Sequence, residues 1–375
     1  MNAQRVLDTF LDLVRTDSPS CHEAAVAAYC ADALRSCGCT VEFDTGGLEA
    51  GSDTGSIYAV LKGTAPGSII LTAHMDCVPP CEGVNPIITD GLIHTDGTTV
   101  LGGDDKVGCA AIIEAVRCLT EGDEPYCTVK IILTVQEEVG CCGAKALNVG
   151  SFKPGEPCFV FDMDGAPGGV TVGAPYHYTF SAEFIGKASH AGVAPADGIN
   201  AIAAAAKAIQ LMRERGCLGA VGEYAASNVG RIEGGSANNV IAPSCSITGE
   251  ARAVDPEIAL ATKEMMQQCM EDGAASEGAR VESNWELEYE GFLLTEQDPT
   301  VQLAKKAAEA CGLPFWTEVS AGGSDANIYT CLGVAPAVVA TGMTNFHSVD
   351  ECLKVKDLED SAVMAEMLAK VGIKG

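Results

Sequence analysis

The chain has no long apolar run. Nothing among its 375 residues approaches the roughly 20 residues that a membrane-spanning helix needs. Basic residues are also scarce, 23 Lys and Arg against 51 Asp and Glu, for a formal net charge of −28. So acidic a chain repels phosphate backbones and anionic lipid, which argues against nucleic acid and membrane as partners. No basic-then-apolar leader with a small-residue cleavage site opens the sequence. Met1–Arg5 runs directly into Val6, Leu7, Phe10, Leu11 and Val14 at helical spacing, so a cytoplasmic location is expected. The 18 cysteines contain no C-x-x-C pair, which removes structural zinc fingers, and a leaderless chain of this length is not a disulfide scaffold. Reduced, mostly buried thiols are expected, with Cys77, Cys141 and Cys142 flanking candidate site residues. Also missing are a G-x-x-x-x-G-K-[ST] loop, a dinucleotide fingerprint and a G-x-S-x-G elbow.

The chain does contain alternating strand and helix signals. Ile57–Leu61, Ile69–Ala73, Val129–Val135 and Cys158–Phe161 are short apolar runs of the kind buried on both faces of a sheet, and Val107–Leu119 has helical spacing. This predicts an α/β catalytic domain with a mostly parallel sheet. From Ala174-Pro175 the style changes. Tyr178–Phe184, Cys245–Ala253 and Arg280–Tyr289 alternate with period two, and helices are predicted over Ala201–Met212 and Pro256–Met270. A β-α-β-β-α-β order of this kind is a ferredoxin-like α+β domain. Helix–strand alternation then resumes with Val301–Cys311, Ser324–Cys331, Ala337–Ala340 and Leu358–Val371. The predicted organisation is therefore a catalytic domain over 1–174 and 294–375, interrupted by an inserted lid and dimerisation domain over 175–293.

Candidate ligands cluster just past the carboxyl ends of the predicted strands, where open α/β sheets place their crevices. His-x-acid strings mean little alone: chance expects about one in this composition, and two occur. His74-Met75-Asp76 ends a strand, and Asp76 can orient the imidazole, whereas His94-Thr95-Asp96 sits in a polar stretch. Asp104 and Asp105 follow two glycines and precede a helix. They could simply cap it, but one such carboxylate can also bridge two ions. Glu137 and Glu138 leave a strand end in different directions, so one can bind metal while the other handles a proton. Asp162 and Asp164 compete for one ligand role; Asp164 lies nearer the open end of the strand. His190, Asn239, Arg252 and the Gly322–Asp325 turn are unremarkable by themselves.

Together the strings Thr72-Ala-His-Met-Asp76, Thr95–Lys106, Val135-Gln-Glu-Glu138 and Asn345-Phe-His-Ser348 resemble the di-zinc aminoacylase/carboxypeptidase/peptidase T superfamily, closest to its peptidase T and peptidase T-like branch. The resemblance spans essentially the whole chain. It implies two Zn2+ per subunit, with Co2+ or Mn2+ as alternatives. His74, Asp104 and Asp164 would hold one ion, and Asp104, Glu138 and His347 the other. It implies Asp76 as the orienting residue of His74, Glu137 as general base, and a cis Asp104–Asp105 peptide bond. His190 would reach a partner subunit's site in a homodimer formed through the lid, and Asn239, Arg252, Gly323 and Ser324 would contact substrate. The implied reaction is hydrolysis of short peptides, tripeptide aminopeptidase-like, by attack of a zinc-bridging hydroxide. A carboxypeptidase or N-acyl-amino-acid amidohydrolase on the same site is the alternative chemistry, and a catalytically silent binding relative the alternative class.

Overall fold

The computed structural model describes residues 1–373, which divide into two compact units. The first comprises Met1–Val172, Leu294–Glu318 and the chain from Ser324 onward. Its sheet runs in the order Thr40–Phe43, Ile57–Leu61, Thr128–Thr134, Ser68–His74, Pro157–Met163, Ala335–Ala340 and then Gly169–Ala174. The four strands from Thr128–Thr134 to Ala335–Ala340 are parallel, and the flanking pairs are antiparallel. Both Ser68–His74 and Thr128–Thr134 are buried at every position after the first; the helices Gly103–Glu121 and Val355–Val371 pack over this centre, and Ala3–Arg15 packs on those two helices. That burial explains why these strands read as unbroken apolar runs and not as alternation. The parallel register sets His74 opposite Thr134, so the two strand ends that carry site residues finish side by side.

A second, four-stranded sheet in the same unit has no counterpart in the sequence reading. It orders Met343–Thr344, Cys352–Lys354, Leu92–His94 and Ile87–Thr89. Strands of two or three residues are too short to show a period. Yet this sheet closes the hairpin whose tip, 345–351, carries His347.

The second unit is Gly173–Leu293 with Val319–Gly323. Its antiparallel sheet orders Gly219–Gly222, Ala225–Gly234, Ser244–Ala253, Tyr176–Ile185 and Arg280–Tyr289. With the helices Ala201–Glu214 and Pro256–Ser276, this is the expected β-α-β-β-α-β order plus one short extra strand. Along Tyr176–Ile185, Phe180, Ala182 and Phe184 are buried while Ser181 and Glu183 are exposed, so one face carries the helices. Side-chain caps start both helices: Asn200 accepts from the N–H groups of Ile202 and Ala203, and Asp255 from those of Glu257 and Ile258. The helices touch where Gly273 lies against Ala208, and a Cβ there would stand 2.6 Å from the Ala208 nitrogen.

Candidate metal centre and active site

His74 is the last residue of its strand, and Asp162 is the penultimate residue of Pro157–Met163. Asp104 and Asp105 open the Gly103–Glu121 helix with non-helical torsions, after Gly102 at φ 73, a left-handed value that favours glycine. The Asp104–Asp105 peptide bond is cis, as the resemblance implies. This turn aims one carboxylate at two histidines. Asp104 Oδ1 is 3.0 Å from His74 Nε2, and Asp104 Oδ2 is 3.2 Å from His347 Nε2. His347 Nε2 is also 2.8 Å from Glu138 Oε2, and His74 Nε2 is 3.8 Å from Asp162 Oδ1.

Asp164, the ligand expected from the sequence, is a correction. It is exposed and lies beyond the end of its strand, while Asp162 reaches the His74 cluster. The period of two holds only while the strand lasts. At Met163 the strand ends and Gly165 turns the chain at φ 85, so Asp164 no longer shares the face of Asp162. Asp105 serves the scaffold: its carboxylate accepts the N–H of His74 and of Gly108, each at 3.1 Å, tying the strand end to the helix. His94 is satisfied locally by Thr89 and the Thr95 carbonyl.

Asp76 does more than orient a histidine. His74 Nδ1 lies 3.0 Å from the Asp76 carbonyl and 3.4 Å from its Oδ1. The same carboxylate accepts the N–H of Glu137 at 2.9 Å and of Glu138 at 3.2 Å, and the Ser20 hydroxyl at 2.7 Å. One buried side chain therefore fixes both a histidine and the paired glutamates. Cys141 donates its thiol to Glu137 Oε1 at 3.4 Å, and Asp325, held by the Thr134 hydroxyl at 2.5 Å, completes a cluster with them. Burial pushes the Glu137 carboxyl well above the usual range; the attraction of His74 opposes that rise, and repulsion from Asp325 and Glu138 adds to it.

Seven carboxylates (Asp76, Asp104, Asp105, Glu137, Glu138, Asp162 and Asp325) gather here around His74 and His347. Lys106, the nearby buried cation, spends its ammonium on the Thr16 carbonyl at 2.8 Å. Hydrogen bonds to Asp104 and Glu138 push His347 up to about 10, and burial and Asp104 together push Asp162 well above the usual range. Such a surplus of negative charge fits divalent cations. Ligands about 2.0–2.2 Å from a tetrahedral ion stand roughly 3.3 Å apart, close to the separations of 2.8–3.8 Å found here. The residues fit two ions sharing Asp104.

Three of the four expected substrate contacts, and His190, belong to the second unit. His190 is exposed, and its Nδ1 accepts the N–H of Gly192 and of Val193, each at 3.2 Å, which puts the ring proton on Nε2. Exposed Asn239 lies beside it, its carbonyl accepting the Ala191 N–H at 2.9 Å. Arg252 pairs with Glu250 at 2.9 Å and approaches Tyr289. Gly323 must be glycine, since a Cβ would stand 2.3 Å from the Tyr289 ring. Ser324 belongs to the first unit, where it caps the Asp325–Cys331 helix in a capping box with Asn327. The sequence reading missed Asp325 as a neighbour of Glu137, and it missed Glu351, a buried carboxylate behind Asp104. Asp325 closes the Gly322–Asp325 turn but nothing local ties it to Glu137, and Glu351 is a single acid brought in from far along the chain.

The described residues include no helix long and apolar enough to cross a membrane, and no disulfide joins any of the 18 cysteines. A family model for peptidase family M20/M25/M40 matches residues 70–371. The uncharacterized protein YqjE of Bacillus subtilis (strain 168) is 37% identical over 375 residues, the whole of both chains. The crystal structure of aminopeptidase PepT from Bacillus cereus superposes with a TM-score of 0.93 at 34% identity, covering 100% of each chain. That of a tripeptidase from Staphylococcus aureus does so at 0.93 and 32%, again over 100% of each. With the strand-end histidine, the doubly aimed aspartate and the paired glutamates in place, the chain belongs to peptidase family M20/M25/M40 and is a metallopeptidase of the peptidase T-like kind.

Proposed function

We propose that this peptidase releases the amino-terminal residue of short peptides, tripeptides foremost, using two zinc ions, with Co2+ or Mn2+ as substitutes. The observation that carries the reading is Asp104, whose two oxygens face two different histidines at 3.0 and 3.2 Å. His74, Asp104 and Asp162 would hold one ion, and Asp104, Glu138 and His347 the other. When bound, the pair would polarise the scissile carbonyl and acidify the attacking water. Glu137 takes the proton of that water and returns it to the leaving nitrogen. Its N–H bond to Asp76 and its thiol contact with Cys141 hold the carboxylate for both transfers. His190 offers an Nε2–H donor suited to a developing oxyanion, and the reading places it in the site of a second copy, in a dimer formed through the lid. Arg252, Asn239, Gly323 and Ser324 would contact the peptide. Reduced thiols throughout suit a cytoplasmic enzyme.

The test is a zinc-supplemented hydrolysis screen of di-, tri- and tetrapeptides with free or blocked termini. Release of the amino-terminal residue from free tripeptides is expected, with little turnover once the amino terminus is acetylated. Preference for blocked amino termini would favour the N-acyl amidohydrolase reading instead.

The ligand assignment has its own measurement. Asp162→Ala should lower bound zinc from two ions per chain towards one, while Asp164→Ala should leave it at two. The reverse pattern would restore Asp164 as the ligand.

A further inference from the structure

Glu351 is 1% exposed, and both oxygens of its carboxylate are spent on backbone: Oε2 accepts the N–H of Gly102 at 2.8 Å, and Oε1 the N–H of Asp104 at 2.9 Å. The residue stands 247 positions from Asp104 but only four from His347. It shares His347's hairpin tip, whose turn is set by Asn345 and His347 at φ 56 and 59, by the Glu351 N–H on the Ser348 carbonyl and by the Asp350 N–H on the Ser348 hydroxyl. Resting on the two-ion reading above, we propose that Glu351 is a positioning residue: it fixes the distance between Asp104 and His347 and so sets the affinity of the second ion position, Asp104–Glu138–His347.

The asymmetry follows from what else holds each side. His74 is anchored without Glu351, by its strand pairing, by the Asp105 carboxylate on its N–H and by Asp76 at Nδ1. At the other position Glu138 shares the Asp76 frame through its N–H, but His347 has no part in it. His347 sits on a hairpin held by two pairs, Met343 with Leu353 and Thr344 with Cys352, and its side chain is 48% exposed. The Glu351 clamp ties that tip to the turn bearing Asp104. Burial pushes the Glu351 carboxyl up to about 7, and the two N–H donors pull against that rise. Gly103 is part of the same device. A Cβ at that position would stand 2.9 Å from Glu351 Oε1, so only glycine lets the carboxylate come so near the backbone.

The experiment titrates the full-length apoprotein with Co2+, followed by equilibrium dialysis and by the visible absorption of the bound ion. Glu351→Gln keeps the shape but sets an amide donor against an N–H. Gly103→Ala keeps the carboxylate but displaces it. Both variants should bind one Co2+ with wild-type affinity and the second about 10–100-fold more weakly, the usual scale for removing a ligand's outer hydrogen-bond partner. Excess Co2+ should recover the spectrum of the doubly loaded protein. Wild-type affinity at both positions in the two variants overturns the proposal, as does equal weakening of both, which would mean a general structural role. If Glu351→Gln fails to fold by circular dichroism, Gly103→Ala decides alone. The titration reads ion binding only. A wild-type protein that holds two Co2+ yet cleaves no tripeptide overturns the substrate reading and leaves this one standing.

Discussion

Glu137→Gln is expected to retain both metal ions and to lose turnover by roughly 10²–10⁴-fold, the usual contribution of a positioned general base. At about 1.4 kcal/mol per tenfold, that is roughly 3–5 kcal/mol of barrier. The ions stay because Glu137 is not among the side chains within reach of either histidine; Glu138 is, with His347 Nε2 at 2.8 Å. The fold stays because the residue is tied in through its backbone. The Glu137 N–H is held by Asp76 at 2.9 Å, and its carbonyl accepts the N–H groups of Gly140 and Cys141. The amide of Gln keeps an oxygen for the Cys141 thiol but cannot take up and return a proton at neutral pH. Metal analysis and kinetics on one preparation settle the matter. Near-normal turnover would remove Glu137 as the base, and loss of both ions would make it a ligand.

Much of this arrangement was legible because the parallel centre of an α/β sheet buries its strands on both faces, leaving short apolar runs with polar residues at their ends. His74 after Ile69–Ala73, and Glu137-Glu138 after the run ending at Val135, stood out for that reason, and the central strands fall where those runs do. Asp162 against Asp164 went wrong because strand periodicity cannot report where the strand stops, and it stops at Met163, one residue short of Asp164. The small sheet under His347 went unread because a two-residue strand has no period. Glu351 carries no local signal, and the Gly322–Asp325 turn gives no hint that its last residue meets Glu137. Their roles arise from pairings across 247 and 191 positions, which only the folded chain makes. Val319–Gly323 joins the second unit for the same reason: the close fit of Gly323 against Tyr289 is a contact with no trace in the composition of the turn.

Asp104→Ala should abolish binding at both ion positions, where His347→Ala should cost only one. The difference rests on geometry. Oδ1 of Asp104 serves the His74 side and Oδ2 the His347 side, so a single truncation takes a ligand from each. Asp104→Asn separates bridging from mere occupancy of the space: its amide leaves one oxygen, so at most one ion should remain. None of these changes need unfold the protein. Removing one of seven crowded carboxylates relieves repulsion. His347, 48% exposed, can return to water, and His74 keeps its contacts to Asp76. Ion binding to the native state stabilises it by about 2.7 kcal/mol when free ion is about 100 times the dissociation constant. The wild-type melting temperature should therefore rise when Zn2+ is added to the chelated protein and fall again with chelator, while that of Asp104→Ala should ignore both. Because this readout needs no substrate, it tests the bridging role whatever peptide the enzyme prefers. A truncated variant that still binds two ions, or still gains stability from Zn2+, would show that the two positions do not share Asp104.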